Sequence, residues 1–155
     1  MPNATPKLPK PCVFIDADVL FAGAASPSEH GASLVILRMA EITLIDAVAS
    51  QQVLTEVERN LTAKMPAALP AFHLLANRSL RVVPDPELHE FARWVGLADE
   101  KDLPILVAAL REQCSWLVTH HVRHFQPGHS AIVVLRPGEF IWRVREQLAA
   151  LPRFT

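Results

Sequence analysis

The chain has 155 residues, 50% of them apolar and 20% charged, with a formal net charge of −1. That is one domain's worth of chain with enough apolar side chains for a sizeable core, which excludes general disorder. No apolar run approaches the roughly 18 residues needed to span a bilayer, and the near-zero charge lacks the basic excess of a dedicated nucleic-acid binder.

The first residues, MPNATPKLPKP, carry two lysines but no apolar stretch, so they do not read as a secretory signal. Their prolines predict an extended arm over residues 1–10, ahead of a single domain over residues 11–151. Cys12 and Cys114 lie in apolar surroundings without metal-site spacing. They read as small core residues of a reduced, cytoplasmic protein.

Val13, Phe14 and Ile15 form a short apolar run of the kind buried in parallel sheets. Asp16 and Asp18 follow abruptly. A carboxylate at the carboxyl end of a buried strand stands where α/β sheets place their ligands. The plainer reading is that Asp16 satisfies loop amides and Asp18 caps the next helix. Residues 22–30 are small and turn-forming, 32–40 are helical, and 42–48 (ITLIDAV) read as a second strand.

Ser50 is a plausible N-cap for a helix to about Leu61, with Val53, Leu54, Val57 and Leu61 on its apolar face. Glu56 and Asn60 share one flank of that face and Glu58 the other. By periodicity neither glutamate is special. Pro66 and Pro70 bracket a turn and start another helix, residues 80–83 form a short strand, and Pro86 opens a helix ended by Gly96.

In ADEKDLPILVAALREQCSWLVT, Asp99, Glu100 and Asp102 crowd the start of a helix that is apolar almost all round. Such a helix is buried, so its acidic first turn approaches the interior. Acids there also complement the dipole, and Asp99 or Asp102 is a candidate cap. Trp116, Leu117 and Val118 form a strand ending in Thr119. His120, His121, Arg123 and His124 follow, without the spacing of a histidine metal site. Residues 131–135 form a last strand, and Pro137-Gly138-Glu139 starts a terminal helix. Strands alternating with helices predict a three-layer α/β fold, a mostly parallel sheet with helices on both faces.

Two families share the apolar-run-then-DxD opening. From FIDADVL through LTEV, KDLPILVAAL and WLVT to RPGEF, the chain resembles the PIN-domain family, covering about residues 12–148. That resemblance implies a Mg²⁺- or Mn²⁺-dependent ribonuclease, often a VapC-like toxin of the cytoplasm held inactive by a small antitoxin, and a homodimer with no membrane association. It carries Asp16, Glu56 and Asp102 over as the main acidic residues, which bind metal, and Thr119 as the small hydroxyl residue of the site. The antitoxin is expected on the helices around residues 22–39 and 53–75.

One position departs from the pattern. Where the family often has Asp two residues after the threonine, this chain has His121, which cannot supply the negative charge that a hard Mg²⁺ ion prefers. Asp18 and Asp99 are candidates to restore that charge, with His121 as a further ligand. Arg123, His124, Arg111, Arg136 and His120 are candidate contacts to RNA phosphates.

Two other readings stand beside this one. A haloacid-dehalogenase-like phosphatase shares the DxD opening but needs a later lysine and acidic pair, and after Thr119 no acid occurs before Glu139. A catalytically weakened module that binds RNA or a protein partner accords with His121 and the near-neutral charge.

Overall fold

The computed structural model describes residues 9–26 and 31–152. Most of the expected arm (residues 1–8) and the end of the expected turn-rich segment (residues 27–30) lie outside them.

Five strands form one parallel sheet: β1 (Cys12–Ile15), β2 (Asp46–Ser50), β3 (Leu80–Val83), β4 (Trp116–Val118) and β5 (Val133–Leu135), in the order β3-β2-β1-β4-β5. The connections carry helices α1 (Ala17–Ala25) and α2 (Ala32–Glu41), α3 (Gln51–Lys64) and α4 (Leu69–Ser79), then α5 (Leu88–Phe91) and α6 (Leu103–Arg111); α7 (Pro137–Ala149) closes the chain. Both crossovers on the β1-to-β3 side run in one direction and the return to β4 in the other. Right-handed connections therefore place α1–α4 on one face and α6 on the opposite face. Helix α7 packs against α2. This is the expected α/β architecture, with all of its strands parallel.

The core is apolar on both faces of the central strands. Val13, Phe14 and Ile15 of β1, Val48 and Ala49 of β2, and Leu117 and Val118 of β4 are fully buried, as are Leu106, Ala108 and Ala109 of α6. Each fully buried large side chain contributes roughly 1.5–3 kcal/mol. This explains why β1 and α6 read as nearly continuous apolar runs, and it fixes the positions of the residues at their ends.

Several expected boundaries move. Residues 22–25 are helical, because the alanines around Gly23 are strong helix formers. A Cβ on Gly23 would lie 2.8 Å from Leu37 Cδ1, so the glycine lets α2 approach closely. The second strand begins at Asp46 rather than residue 42. Helix α2 runs through Glu41, and Thr43 takes a left-handed φ of 69° while the amides of Ile42, Thr43 and Leu44 bond back to α2 carbonyls. Ser50 occupies the N-cap of α3 without a side-chain cap bond; Asp85 accepts from the Gln52 amide instead, at 2.7 Å. The helix expected up to Gly96 is helical only over Leu88–Phe91. Cys12 is half-buried and Cys114 buried, and their sulfurs face each other at 2.7 Å.

Candidate active site

Strand order reverses direction between β1 and β4, and open parallel sheets leave a crevice at such a point, beyond the carboxyl ends of the strands. Ile15 pairs with Val118, so the next residues, Asp16 and Thr119, emerge side by side. The Asp16 amide donates to the Val118 carbonyl at 3.0 Å. Asp16 Oδ1 accepts from the Ala17 amide at 2.7 Å, and Oδ2 accepts from Thr119 Oγ1 at 2.8 Å. Asp16 is therefore the side chain that caps α1, and Asp18 lies in the first turn, not at the cap.

Asp18 sits beside this pair. Its Oδ2 accepts from the His120 amide at 3.1 Å and lies 3.4 Å from Thr119 Oγ1, while its Oδ1 is buried and makes no hydrogen bond. Asp102 arrives from the other direction, at the N-cap position of α6. Its side chain makes no capping bond, because its carbonyl takes the Ile105 and Leu106 amides and Pro104 needs no partner. The Asp102 carboxylate is free to face the sheet end, and its Oδ2 is buried without a hydrogen bond. Asp99 accepts the Asp102 and Leu103 amides through its backbone carbonyl.

The electrostatics follow from this crowding. Asp16 is only 8% exposed, and burial first, then the charge of Asp18, push its carboxyl up to about 7 against the pull of Thr119 and the Ala17 amide. Asp102 is raised in the same direction by burial, with His124 and Lys101 pulling it down.

These groups open onto a cleft of about 510 Å³ lined by Asp16, Asp18, Glu56, Asp102, His121 and His124. Thr119 is fully buried behind Asp16. Glu56 is exposed on the α3 wall, whereas Glu58, on the other flank, faces His73 at 3.3 Å. His121 is 60% exposed, with Nε2 3.6 Å from Asp18 Oδ2, and its ring stacks on His124 at 4.8 Å.

The candidate phosphate contacts divide. His124 lines the cleft, and Arg123 and His120 are exposed on the turn that carries it. Arg111 does not reach the cleft. It lies at the far end of α6 from Asp102, paired with Glu112 and Glu90 and donating to the Pro84 carbonyl. Arg136 pairs with Glu139 at the start of α7. The cleft's own cations are Arg59, Lys64 and Lys101, which sequence reasoning missed. A signal existed: Gln52, Glu56, Asn60 and Lys64 recur every four residues, a polar stripe along one side of α3.

The donor set suits a hard divalent ion. Asp16, Asp18 and Asp102 offer carboxylate oxygens, two of them buried without hydrogen bonds, and Glu56 stands across the cleft. Buried oxygens left in this way are costly unless something neutralises them.

No curated protein matches the sequence. Among solved structures, VapBC2 from Rickettsia felis, bound to a DNA fragment from its promoter, is similar at 14% identity and a TM-score of 0.58, covering 79% of this chain and 96% of that one. VapC20 of Mycobacterium tuberculosis, a toxin that cleaves the sarcin–ricin loop, aligns at 18% identity and a TM-score of 0.49, over 68% of this chain and 86% of that one. The family model for the PIN domain matches residues 12–123, well over half of the chain, which removes the phosphatase alternative: the protein belongs to the PIN-domain family.

Proposed function

We propose that the protein is a divalent-metal-dependent ribonuclease, acting in the cytoplasm as the toxin of a toxin–antitoxin pair. The observation that carries this reading is the convergence of Asp16, Asp18 and Asp102 at the sheet's switch point, with one buried oxygen of Asp18 and one of Asp102 making no hydrogen bond. Asp16, Asp18 and Asp102 would hold the ion, Glu56 would reach it directly or through a water, and Thr119 would orient Asp16. When bound, a Mg²⁺ or Mn²⁺ ion supplies the Lewis acid that activates water and shields charge on the phosphate.

The chain's own groups do the rest. Arg59, Lys64, Lys101 and His124 line the cleft with the acids and would bind RNA phosphates, with Arg123 exposed beside His124 in the chain. Water is the nucleophile, so no side chain needs to form a covalent intermediate. The domain over residues 11–151 would act as one unit, as a homodimer. The toxin role rests on family membership. An antitoxin would lie on the helices named above, where Gly23, Ala24, Leu34, Leu74 and Leu75 line a shallow groove.

A second reading keeps the fold as a weakened binding module, and His121 at the position of the usual fourth acid favours it. Cleavage of single-stranded RNA in Mn²⁺ separates the two. The parent protein cuts and Asp16→Asn does not; equal, metal-independent behaviour of both proteins sinks the nuclease reading. Growth arrest on expression, relieved by a small co-purifying protein, tests the toxin role separately.

A further inference from the structure

We propose that Asp99, Asp102 and His124 form a transition-metal position at the rim of the cleft, through which this chain takes Mn²⁺, Co²⁺ or Zn²⁺ in preference to Mg²⁺. The inference rests on the metal-dependent reading above and adds which ions the site selects. One ligand atom from each of the three residues lies within 4.8 Å of the others. Ligands about 2.1 Å from a common ion stand about 3.0 Å apart when adjacent and about 4.2 Å apart when opposite. The 4.8 Å limit lies just above the spacing of opposite ligands, so small side-chain rotations would bring all three around one ion.

The contact between His124 and Asp102 is the second observation. Nδ1 lies 3.2 Å from Asp102 Oδ2, yet that oxygen is buried and makes no hydrogen bond. The two atoms are at the spacing of neighbouring ligands without the alignment of an N–H donor and its acceptor. Both segments are also held in place. The Asp99 amide donates to the His124 carbonyl at 2.7 Å, and the His124 amide to the His121 carbonyl at 3.0 Å. The His121 ring stacks on the His124 imidazole, within 7° of parallel. His124 is 34% exposed and Asp102 15%, which leaves coordination positions open to the cleft.

Imidazole decides the selectivity. Mg²⁺ demands oxygen ligands in near-octahedral geometry, whereas Mn²⁺, Co²⁺ and Zn²⁺ accept nitrogen readily. Sharing Asp102 between this position and the acids at the strand ends would bring the ion to the mouth of the cleft.

The test is metal binding by the full chain, free of RNA. Co²⁺ is followed by its visible absorption, and Zn²⁺, Mn²⁺ and Mg²⁺ by calorimetry. In the parent, Zn²⁺ and Mn²⁺ should bind at least about tenfold more tightly than Mg²⁺. His124→Ala should shift the Co²⁺ spectrum, cost about tenfold or more in Zn²⁺ affinity and leave Mg²⁺ binding within about twofold. Asp99→Asn, at an exposed position, repeats the test without disturbing the core, and Glu58→Gln serves as a control outside the cleft. An unchanged Co²⁺ spectrum and unchanged Zn²⁺ affinity in both His124→Ala and Asp99→Asn overturn the proposal and leave His124 as an ion-pair partner of Asp102. A parent that shows the His124-dependent spectrum but cuts no RNA keeps this site and loses the nuclease reading. Cleavage in Mg²⁺ by a parent lacking that spectrum does the reverse.

Discussion

Thr119 Oγ1 donates to Asp16 Oδ2 at 2.8 Å and accepts from the His121 amide at 3.0 Å, so the hydroxyl that follows β4 holds the carboxylate that follows β1. Both residues are buried, and no water-facing donor can take over this contact cheaply. Thr119→Val keeps the shape and removes the donor. A hydrogen bond to a charged group contributes about 1.5–3 kcal/mol. If that difference acts on the reacting complex, RNA cleavage falls about 10- to 100-fold. Thr119→Ser restores the donor and most of the rate. Equal rates for the valine and serine variants would show that Asp16 does not depend on this hydroxyl.

The raised Asp16 carboxyl has a consequence for pH. Burial and Asp18 favour its neutral form in the folded chain, so its contribution to metal-free stability is complete below the ordinary carboxylate range and lost as pH rises through about 7. In chelator, stability should fall between pH 5 and pH 8 by on the order of a few kcal/mol, seen as a falling melting temperature. Asp16→Asn, neutral at every pH, should flatten that fall and be the more stable protein at pH 8. Added Mn²⁺ reverses the trend, because binding needs the ionised carboxylate and its stabilising effect grows with pH. A hundredfold excess over the dissociation constant adds about 2.7 kcal/mol. Identical pH profiles for parent and Asp16→Asn in chelator would remove the basis for this behaviour.

The parts of the site that were legible in the sequence are those at element ends. Asp16 and Thr119 each follow a buried apolar run, and Asp102 precedes one, so each marks a point where the chain leaves the core. The parallel sheet followed from the alternation of apolar runs and helical patterns. The walls of the cleft were less legible. Arg59 and Lys64 sit on a surface helix where a charged residue is ordinary, and only the tertiary packing of α3 turns that face toward the acids. Arg111 shows the opposite error: a cation close in sequence to Asp102 lies one helix length away and is already paired. The start of β2 was misread because ITLI has strand composition, while the left-handed turn at Thr43 depends on where α2 stops.

The basic wall gives a prediction of its own. Lys64 reaches over the ring of Phe21, 5.6 Å from its centroid, and shares the cleft with Arg59. In an Asp16→Asn background, which is expected not to cut, Arg59→Ala and Lys64→Ala should each weaken binding of single-stranded RNA. Each should also lower the slope of log affinity against log salt by about 0.7. Arg111→Ala should leave that slope unchanged, since its partners are Glu90 and Glu112. A slope that responds to Arg111 and not to Lys64 would place the RNA on another face.

Glu56 and Glu58 form a matched pair of opposite expectation on α3. Glu56 lines the cleft, and Glu58 faces His73 outside it. Glu56→Gln keeps size and removes charge, so it should weaken Mn²⁺ binding and slow cleavage by about tenfold or more, whereas Glu58→Gln should do neither. Parallel behaviour of the two variants in calorimetry would mean that Glu56 is only a solvated helix residue.

His121 provides the sharpest contrast between metals. Its ring stands at the rim, 60% exposed, with Nε2 3.6 Å from Asp18 Oδ2 and its face on His124. His121→Asp changes two things at once. It adds a carboxylate where the family often carries one, which favours a hard ion with oxygen ligands. It also removes the ring stacked on His124, which would loosen the nitrogen available to softer ions. Both changes act in the same direction, so cleavage in Mg²⁺ should rise relative to cleavage in Mn²⁺, by about tenfold for each 1.4 kcal/mol gained. The opposing effect is repulsion from Asp18, which weakens the site in the absence of any ion but is offset once a divalent cation is held between the carboxylates. Rates are compared at saturating concentrations of each metal, with Asp102→Ala as the inactive reference in both. A His121→Asp protein that matches the parent in Mg²⁺ and in Mn²⁺ would mean that Asp18 already completes the acidic set and that position 121 takes no part in choosing the ion.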